Sequence, residues 1–305
     1  MMEIVTIICA RDKVDIELQA HSIDRFVHPT TTHHIVIEDD EISMSDWQEI
    51  LAPHYTRHTL NLIKANPRED KQFGLPSPLG HRRVGYLKLE TVAKCKTDKV
   101  LVLDGKNIFI RPTDLQEWSI INHGNGKLHD VSDIDYREDG RSKGSVPLKW
   151  AKYVCSQFAN SELPKRFPVP LETPYVMNSN LVRSIVARPE YTRQLFLQDM
   201  IWPFTELHLY FCFVPDKELD THVDKFCSAV TRDSKDDSTP WSYFIGKEIG
   251  RVGNMNSPTH GLHRKPRTDM GNIARDIYRR WLLSCGLEDP YVTNYVHFDM
   301  PDKTW

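Results

Sequence analysis

The chain predicts an α/β fold, a central sheet flanked by helices, on three observations. Two short runs, Ile4–Ala10 and Val100–Leu103, are apolar and β-branched almost throughout, as strands buried on both faces are. Each run ends in a turn that carries an acid, Arg11-Asp12 after the first and Asp104-Gly105 after the second. Between them, strand-like and helix-like stretches alternate in the order β-α-β-β-α-β, the pattern of a sheet whose ligands sit at the carboxyl ends of its strands.

The elements follow in order. Asp12 and Asp15 open a helix in which Ile16, Ala20, Ile23 and Val27 share one face, and acids in its first turn oppose the positive helix end. His33–Ile37 reads as a second strand, closed by the acidic run Glu38–Glu41, and Thr59–Lys64 as a third. A Pro-rich loop around Pro76 and Pro78 precedes a helix carrying Tyr86, Leu89 and Ala93. Residues 122–149 hold four glycines and little periodicity, which predicts a long loop or hairpin. Tyr175–Met177 resumes strand character, with a helix near Leu181–Val186. Thr205 is placed to cap a helix over Leu207–Val214. A last helix presents Met270, Ile273, Ile277 and Trp281 on one face, and Lys235–Ser238 reads as a surface turn. No repeat or low-complexity linker divides the chain. The expectation is one continuous domain in two halves, 1–115 and 116–305, the second completing the sheet of the first.

Composition narrows the function classes. The 305 residues suffice for a large buried core. Lys and Arg number 39 against 42 Asp and Glu, a net charge of −3, which argues against a generally polybasic nucleic-acid coat. No apolar stretch approaches the roughly 20 residues of a membrane span, and Ile4–Ala10 follows Glu3 rather than a basic leader. Six scattered cysteines form no Cys-x-x-Cys pair, so reduced thiols in a cytoplasmic protein are expected. His33-His34 reads as a packed or surface pair, because no Cys or acid stands at a metal-ligand spacing from it.

The strongest local signal is Val100-Leu101-Val102-Leu103-Asp104-Gly105-Lys106-Asn107-Ile108-Phe109-Ile110-Arg111-Pro112. An apolar strand delivers an acid into a glycine turn and then resumes. This resembles the metal-and-diphosphate turn of GT-A glycosyltransferases, usually Asp-x-Asp. The order Val5-Thr6, Arg11-Asp12, Ser22-Ile23, Arg25-Phe26, His34-Ile35-Val36 and Asp39-Asp40 resembles the opening of a bacterial and phage family of GT-A-like glycosyltransferases. So do Gly80–Leu89, with Lys88 in a helix before the turn, and Phe204-Thr205-Glu206-Leu207-His208-Leu209-Tyr210, against that family's Phe-Ser-Glu-Tyr-x-Leu-Tyr. These segments span about two thirds of the chain.

The resemblance implies a GT-A-like, Rossmann-like mixed sheet and transfer of a hexosyl or pentosyl group from a nucleotide-sugar, a UDP-sugar by preference, to a hydroxyl acceptor. Asp104 would organise the diphosphate, with Asp12, Lys88, Lys106 and Asn107 on the donor, and Glu206 would take the acceptor proton. His260, His263 and Arg264 would reach back to the diphosphate, and Asn178 and Asn180 would meet acceptor hydroxyls. A departing diphosphate gains negative charge, which needs a cation beside it. Two readings stay open, since Lys106 stands where the family has its second acid. Either Lys106 supplies that charge and metal is dispensable, or Asp104 and His263 hold Mn²⁺ or Mg²⁺ while Lys106 points away. Each residue also has a plainer role: Asp104-Gly105 as a hairpin turn, Glu206 and Asp12 as helix-dipole partners, Asn178 as a strand-end turn.

Two rival functions remain. Arg251–Arg280 carries seven Lys and Arg against Asp269 and Asp276, which suits either a solvated basic loop or contacts to DNA phosphates. The latter would make the chain a phage DNA-modifying glycosyltransferase acting on a hydroxymethylated base. Lys106 alternatively suggests an inactive GT-A-like binding module. The sequence is silent on which sugar, which acceptor, an inverting or a retaining outcome, and which oligomeric state.

Overall fold

The computed structural model describes residues 2–65, 80–118, 127–130, 166–169, 173–188, 191, 206–214, 229–231, 259–262 and 279–288. In chain order the strands are β1 (Glu3–Ile8), β2 (Val27–His28), β3 (Thr32–Ile37), β4 (Thr59–Lys64), β5 (Lys99–Asp104), β6 (Asn107–Phe109), β7 (Thr113–Asp114), β8 (Lys127–Asp130), β9 (Arg166–Val169), β10 (Tyr175–Asn178), β11 (Ala229–Thr231) and β12 (Thr259–Leu262). The helices are α1 (Lys13–Phe26), α2 (Met44–Leu51), α3 (Gly80–Lys94), α4 (Ser179–Val186) and α5 (Glu206–Phe213), and residues 279–284 are also helical.

The main sheet has the order β10-β5-β1-β3-β4. β1, β3, β4 and β5 run parallel, and β10 adds antiparallel to β5. The fold is therefore mixed α/β with a mostly parallel central sheet flanked by helices. β1 is buried along its whole length, as its unbroken apolar run requires. The chain builds outward from β1 to β3 and β4, then returns to place β5 on the other side of β1. That reversal falls between β1 and β5, and the carboxyl ends of the strands at such a point are where open α/β sheets bind ligands.

Alternation along the strands divides the core. Val5, Ile7, Val36, Val100, Val102 and Met177 face α3, α4 and α5 and pack with Leu89, Val92, Val182 and Leu209. Ile4, Leu101, Leu103 and Val176 face the other way onto Leu18, Ile23 and Phe26 of α1. Ile8, Ile35 and Ile37 meet Ile16 and Ala20 of α1 and Trp47 and Leu51 of α2. Each such side chain contributes roughly 1.5–3 kcal/mol by leaving water. α5 buries Leu207, Leu209, Tyr210, Phe211 and Cys212, the signature of a helix sunk in the core rather than lying on it.

Several sequence expectations change. α1 stops at Phe26, and Val27 belongs to β2, which pairs with β7; a continuing helix would break that ladder. α2 was not anticipated, although Ser43 caps it by accepting a hydrogen bond from Asp46 N at 3.1 Å. Within 122–149 only β8 is described, paired with β9. Thr205, the turn at 235–238 and the helical face from Met270 to Ile277 lie outside the described residues. Among the described residues, no helix is long and apolar enough to cross a membrane.

Candidate active site

The turn between β5 and β6 is held from below by a polar chain that crosses the sheet. Gln19 of α1 donates through Nε2 to the carbonyls of Asp104 at 2.8 Å and Asn107 at 2.6 Å. Its Oε1 accepts from the Thr6 hydroxyl at 2.8 Å. Thr6 in turn lies 2.9 Å from His33 Nε2, and His33 Nδ1 lies 2.5 Å from the Tyr55 hydroxyl. Because the Thr6 proton goes to Gln19, His33 must donate from Nε2 and accept from Tyr55, which fixes one neutral tautomer. Burial agrees: it pushes the His33 pKa down to about 3, helped by neighbouring His34 and His58. Asn107 completes the turn by accepting the Asp104 N–H at 2.8 Å through Oδ1.

Above the turn, four charges and a phenol meet. Lys88 of α3, 6% exposed, donates to Asp104 Oδ1 and to Glu206 Oε1, each at 2.9 Å. Lys106 reaches the other Asp104 oxygen, Oδ2, at 2.9 Å. Tyr175 at the start of β10 donates its hydroxyl to Glu206 Oε1 at 2.5 Å. Its ring centroid lies 5.6 Å from the Lys88 ammonium, a cation–π approach. Gly85 makes room for Glu206: a Cβ at position 85 would come within 2.7 Å of Glu206 Oε2.

The charges balance, two ammonium groups against two carboxylates. Burial disfavours the Lys88 charge, but Asp104 and Glu206 outweigh it and hold its pKa above the ordinary lysine value. Burial likewise works against an ionised Asp104, and Lys106 and Lys88 overcome it, holding that carboxyl well below the usual range. Burial and the Glu206 charge push the Tyr175 phenol well above its ordinary value, so it stays a proton donor. Asp104 is the outlet of the cluster, with 32% of its side chain exposed against 8% for Glu206 and 17% for Lys106.

The sequence-predicted residues thus divide. Asp104, Lys106, Lys88 and Glu206 converge in one cluster. Asp12 lies beside it, its Cβ 3.6 Å from where a Gly105 Cβ would stand, but Oδ2 folds back onto Cys9 N at 3.0 Å. Asn107 is fully buried and spent on the turn. Asn178 and Asn180 are not brought to the cluster. β10 runs against β5, so Asn178 pairs with Lys99 at the opposite end of the sheet. There Asn178 caps α4 through the N–H groups of Asn180 and Leu181, and Asn180 bonds Asp98 and Arg183. β12 pairs with β6, setting the backbone of His260 opposite Ile108 and Gly261 opposite Asn107. His263 and Arg264 lie outside the described residues.

Three contributors escaped sequence reading. Tyr175 reads from sequence only as a strand residue, and Gln19 carries no sequence signal of its own. Asp39 enters the sequence reading as part of an acidic run and of the Asp39-Asp40 motif, with no role of its own. In the structure Asp39 Oδ2 accepts from Ala10 N at 2.9 Å, joining the carboxyl ends of β3 and β1. Its Oδ1 is buried and has no hydrogen-bond partner among the described residues.

The donor set at the turn does not fit a divalent cation. Such an ion needs several free oxygen or imidazole ligands, whereas among the described residues both Asp104 oxygens carry ammonium groups and Glu206 Oε1 is shared by Lys88 and Tyr175.

No protein-family model matches the chain. No curated relative matches it either. Among solved structures it is similar to the galactosyltransferase LgtC in complex with donor and acceptor sugar analogs, at 14% identity over 93% of this chain and 95% of that one, with a TM-score of 0.47. It is similar to the apo glycosyltransferase GlyE of Streptococcus pneumoniae TIGR4, at 12% identity over 96% of this chain and 62% of that one, TM-score 0.43. Mouse xyloside xylosyltransferase 1 in its apo form aligns at 10% identity over 87% and 98%, TM-score 0.40.

Proposed function

We propose that the chain is a glycosyltransferase that moves a sugar from a nucleotide-sugar donor, a UDP-sugar by preference, to a hydroxyl acceptor. The carrying observation is the pair of ammonium groups on Asp104 at the carboxyl-edge crevice. A nucleoside diphosphate leaving group takes the electron pair of the broken anomeric C–O bond, and its growing charge must be met at the phosphate. Lys106 is placed to do this: it is the more exposed lysine, and exchanging a carboxylate oxygen for a phosphate oxygen leaves Asp104 still paired to Lys88. The resident lysine then takes the part that Mn²⁺ or Mg²⁺ plays elsewhere.

Asp39 supports a nucleotide at this edge. An acid at the end of the strand next to β1 is the position that bonds ribose hydroxyls in nucleotide-binding α/β sheets, and its buried Oδ1 has a hydrogen bond to accept. Glu206, expected from the sequence to be the general base, is in this reading a positioning residue. Its Oε1 is buried between the Lys88 ammonium and the Tyr175 hydroxyl, so it fixes Lys88. Asp104 is too acidic to hold a proton. In this reading the acceptor proton passes to the departing diphosphate as the new C–O bond forms.

A thermal-shift series with nucleoside diphosphates, with and without Mn²⁺ or Mg²⁺, tests the reading. Stabilisation by UDP that needs no metal and is lost in Lys106→Ala supports it, together with donor hydrolysis in chelator. Stabilisation by no nucleoside diphosphate would sink the function, and strict metal dependence would sink the role of Lys106.

A further inference from the structure

The opposite end of the same sheet face carries a second cluster. Glu3 opens β1, His34 lies on β3 and Cys95 follows the last turn of α3. Their ligand atoms, a carboxylate oxygen, an imidazole nitrogen and a thiol sulfur, all lie within 4.8 Å of one another. Glu3 Oε1 and His34 Nε2 are 3.1 Å apart. The sequence hides this group, because the three residues are 31 and 61 positions apart and no ligand spacing betrays them.

We propose that Glu3, His34 and Cys95 bind a divalent metal ion of borderline softness, zinc by the chemistry of its ligands. Carboxylate, imidazole and thiolate are the zinc ligand types, and three protein ligands with a water in the fourth position is an established arrangement. Zinc–ligand bonds of about 2.0–2.3 Å place tetrahedral ligands about 3.3–3.8 Å apart, so closure asks each atom to move by roughly an ångström or less. One carboxylate and one thiolate cancel the charge of the ion.

The surroundings hold Glu3 and His34 from behind, and the Cys95 thiol donates to Thr91 O at 3.4 Å. Glu3 Oε2 accepts from Lys96 N at 2.6 Å, Thr97 N at 3.0 Å and the Thr97 hydroxyl at 3.1 Å, leaving Oε1 to face His34. The side-chain amide of Asn61 lies 2.7 Å from His34 Nδ1, the outer partner that orients a metal-bound imidazole through its other nitrogen. On binding, the Cys95 proton leaves to solvent and the His34 proton moves from Nε2 to Nδ1. Asn61 then turns its carbonyl oxygen toward the ring. Without the ion, burial and the Glu3 charge push the Cys95 thiol up to about 12, and coordination reverses that bias. The ion would tie β1, β3 and the end of α3 together, away from the crevice.

Cobalt is the probe, because thiolate coordination gives it a charge-transfer absorption band. The chelator-treated full chain should take up one equivalent of Co²⁺ with that band, and one equivalent of Zn²⁺ should displace it and raise Tm. Cys95→Ser should abolish the band, His34→Gln should weaken binding at least tenfold, and Asn61→Ala about tenfold. Cys9→Ser should leave it intact. Absence of the band at one equivalent, or its survival in Cys95→Ser, overturns the site. Should Cys95→Ser fail to fold, thiol labelling of the wild-type chain decides: protection of Cys95 by zinc supports the site, and equal labelling with and without zinc refutes it. UDP binding is read independently of every one of these outcomes.

Discussion

The two ends of the sheet face beneath α3 are both polar, yet they solve the burial of a carboxylate differently. At the carboxyl end, Asp104 and Glu206 are matched by ammonium groups on Lys88 and Lys106. At the amino end, Glu3 is matched by the fixed N–H groups of Lys96 and Thr97 and by a hydroxyl. A side-chain ammonium on a flexible stem can trade one anion for another, whereas a backbone amide cannot leave its place. The first arrangement suits an incoming anion, and the second suits a joint that holds its shape. The apolar layer of Val5, Val36, Val100 and Val102 separates them.

Removing Lys88 should be the most damaging change at the carboxyl end. Lys88→Met leaves two carboxylates in the core with their shared counter-charge gone, a loss of about 3–5 kcal/mol for a disrupted buried pair. Urea denaturation should show it as a lower midpoint, together with loss of UDP stabilisation. Tyr175→Phe should be milder. It removes one hydrogen bond to a charged acceptor, about 1.5–3 kcal/mol, and leaves the Lys88–Glu206 ion pair standing.

Much of the fold is legible in the sequence. The apolar runs that became β1 and β5, the turn at Asp104, and the strand at Thr59–Lys64 are all local signals, and the structure keeps them. What sequence could not provide was direction and partnership. Nothing in Tyr175-Val-Met-Asn178 says that this strand runs against its neighbour, so its far end was placed at the crevice instead of away from it. Lys88 and Glu206 are 118 positions apart, and no spacing rule joins them. α2 did announce itself, through Ser43 and the Trp47–Leu51 repeat, but the preceding acidic run masked the cap.

The amino end sharpens the contrast through pH. Burial works against the Glu3 charge, yet its hydrogen bonds with Thr97, His34 and Lys96 win and lower its pKa from the ordinary 4.5. A carboxyl with a depressed folded-state pKa stabilises the chain above its unfolded value, and that contribution disappears as pH falls through the folded value. Wild-type stability should therefore decline below about pH 4.5, more steeply than in Glu3→Gln. At neutral pH Glu3→Gln should lose about 1–2 kcal/mol, the smallest of these effects, because a neutral amide oxygen still accepts from the same donors. Denaturant melts at a series of pH values would read both.

The bare α-carbon at position 85 turns a packing detail into a practical tool. A lone methyl there would press on Glu206 Oε2 while leaving every charged side chain of the crevice in the sequence. Gly85→Ala should fold, at a cost of about 1–3 kcal/mol for overpacking, with its crevice lysine displaced and its nucleotide response blunted. It would serve as the inert twin against which binding by the native chain is judged.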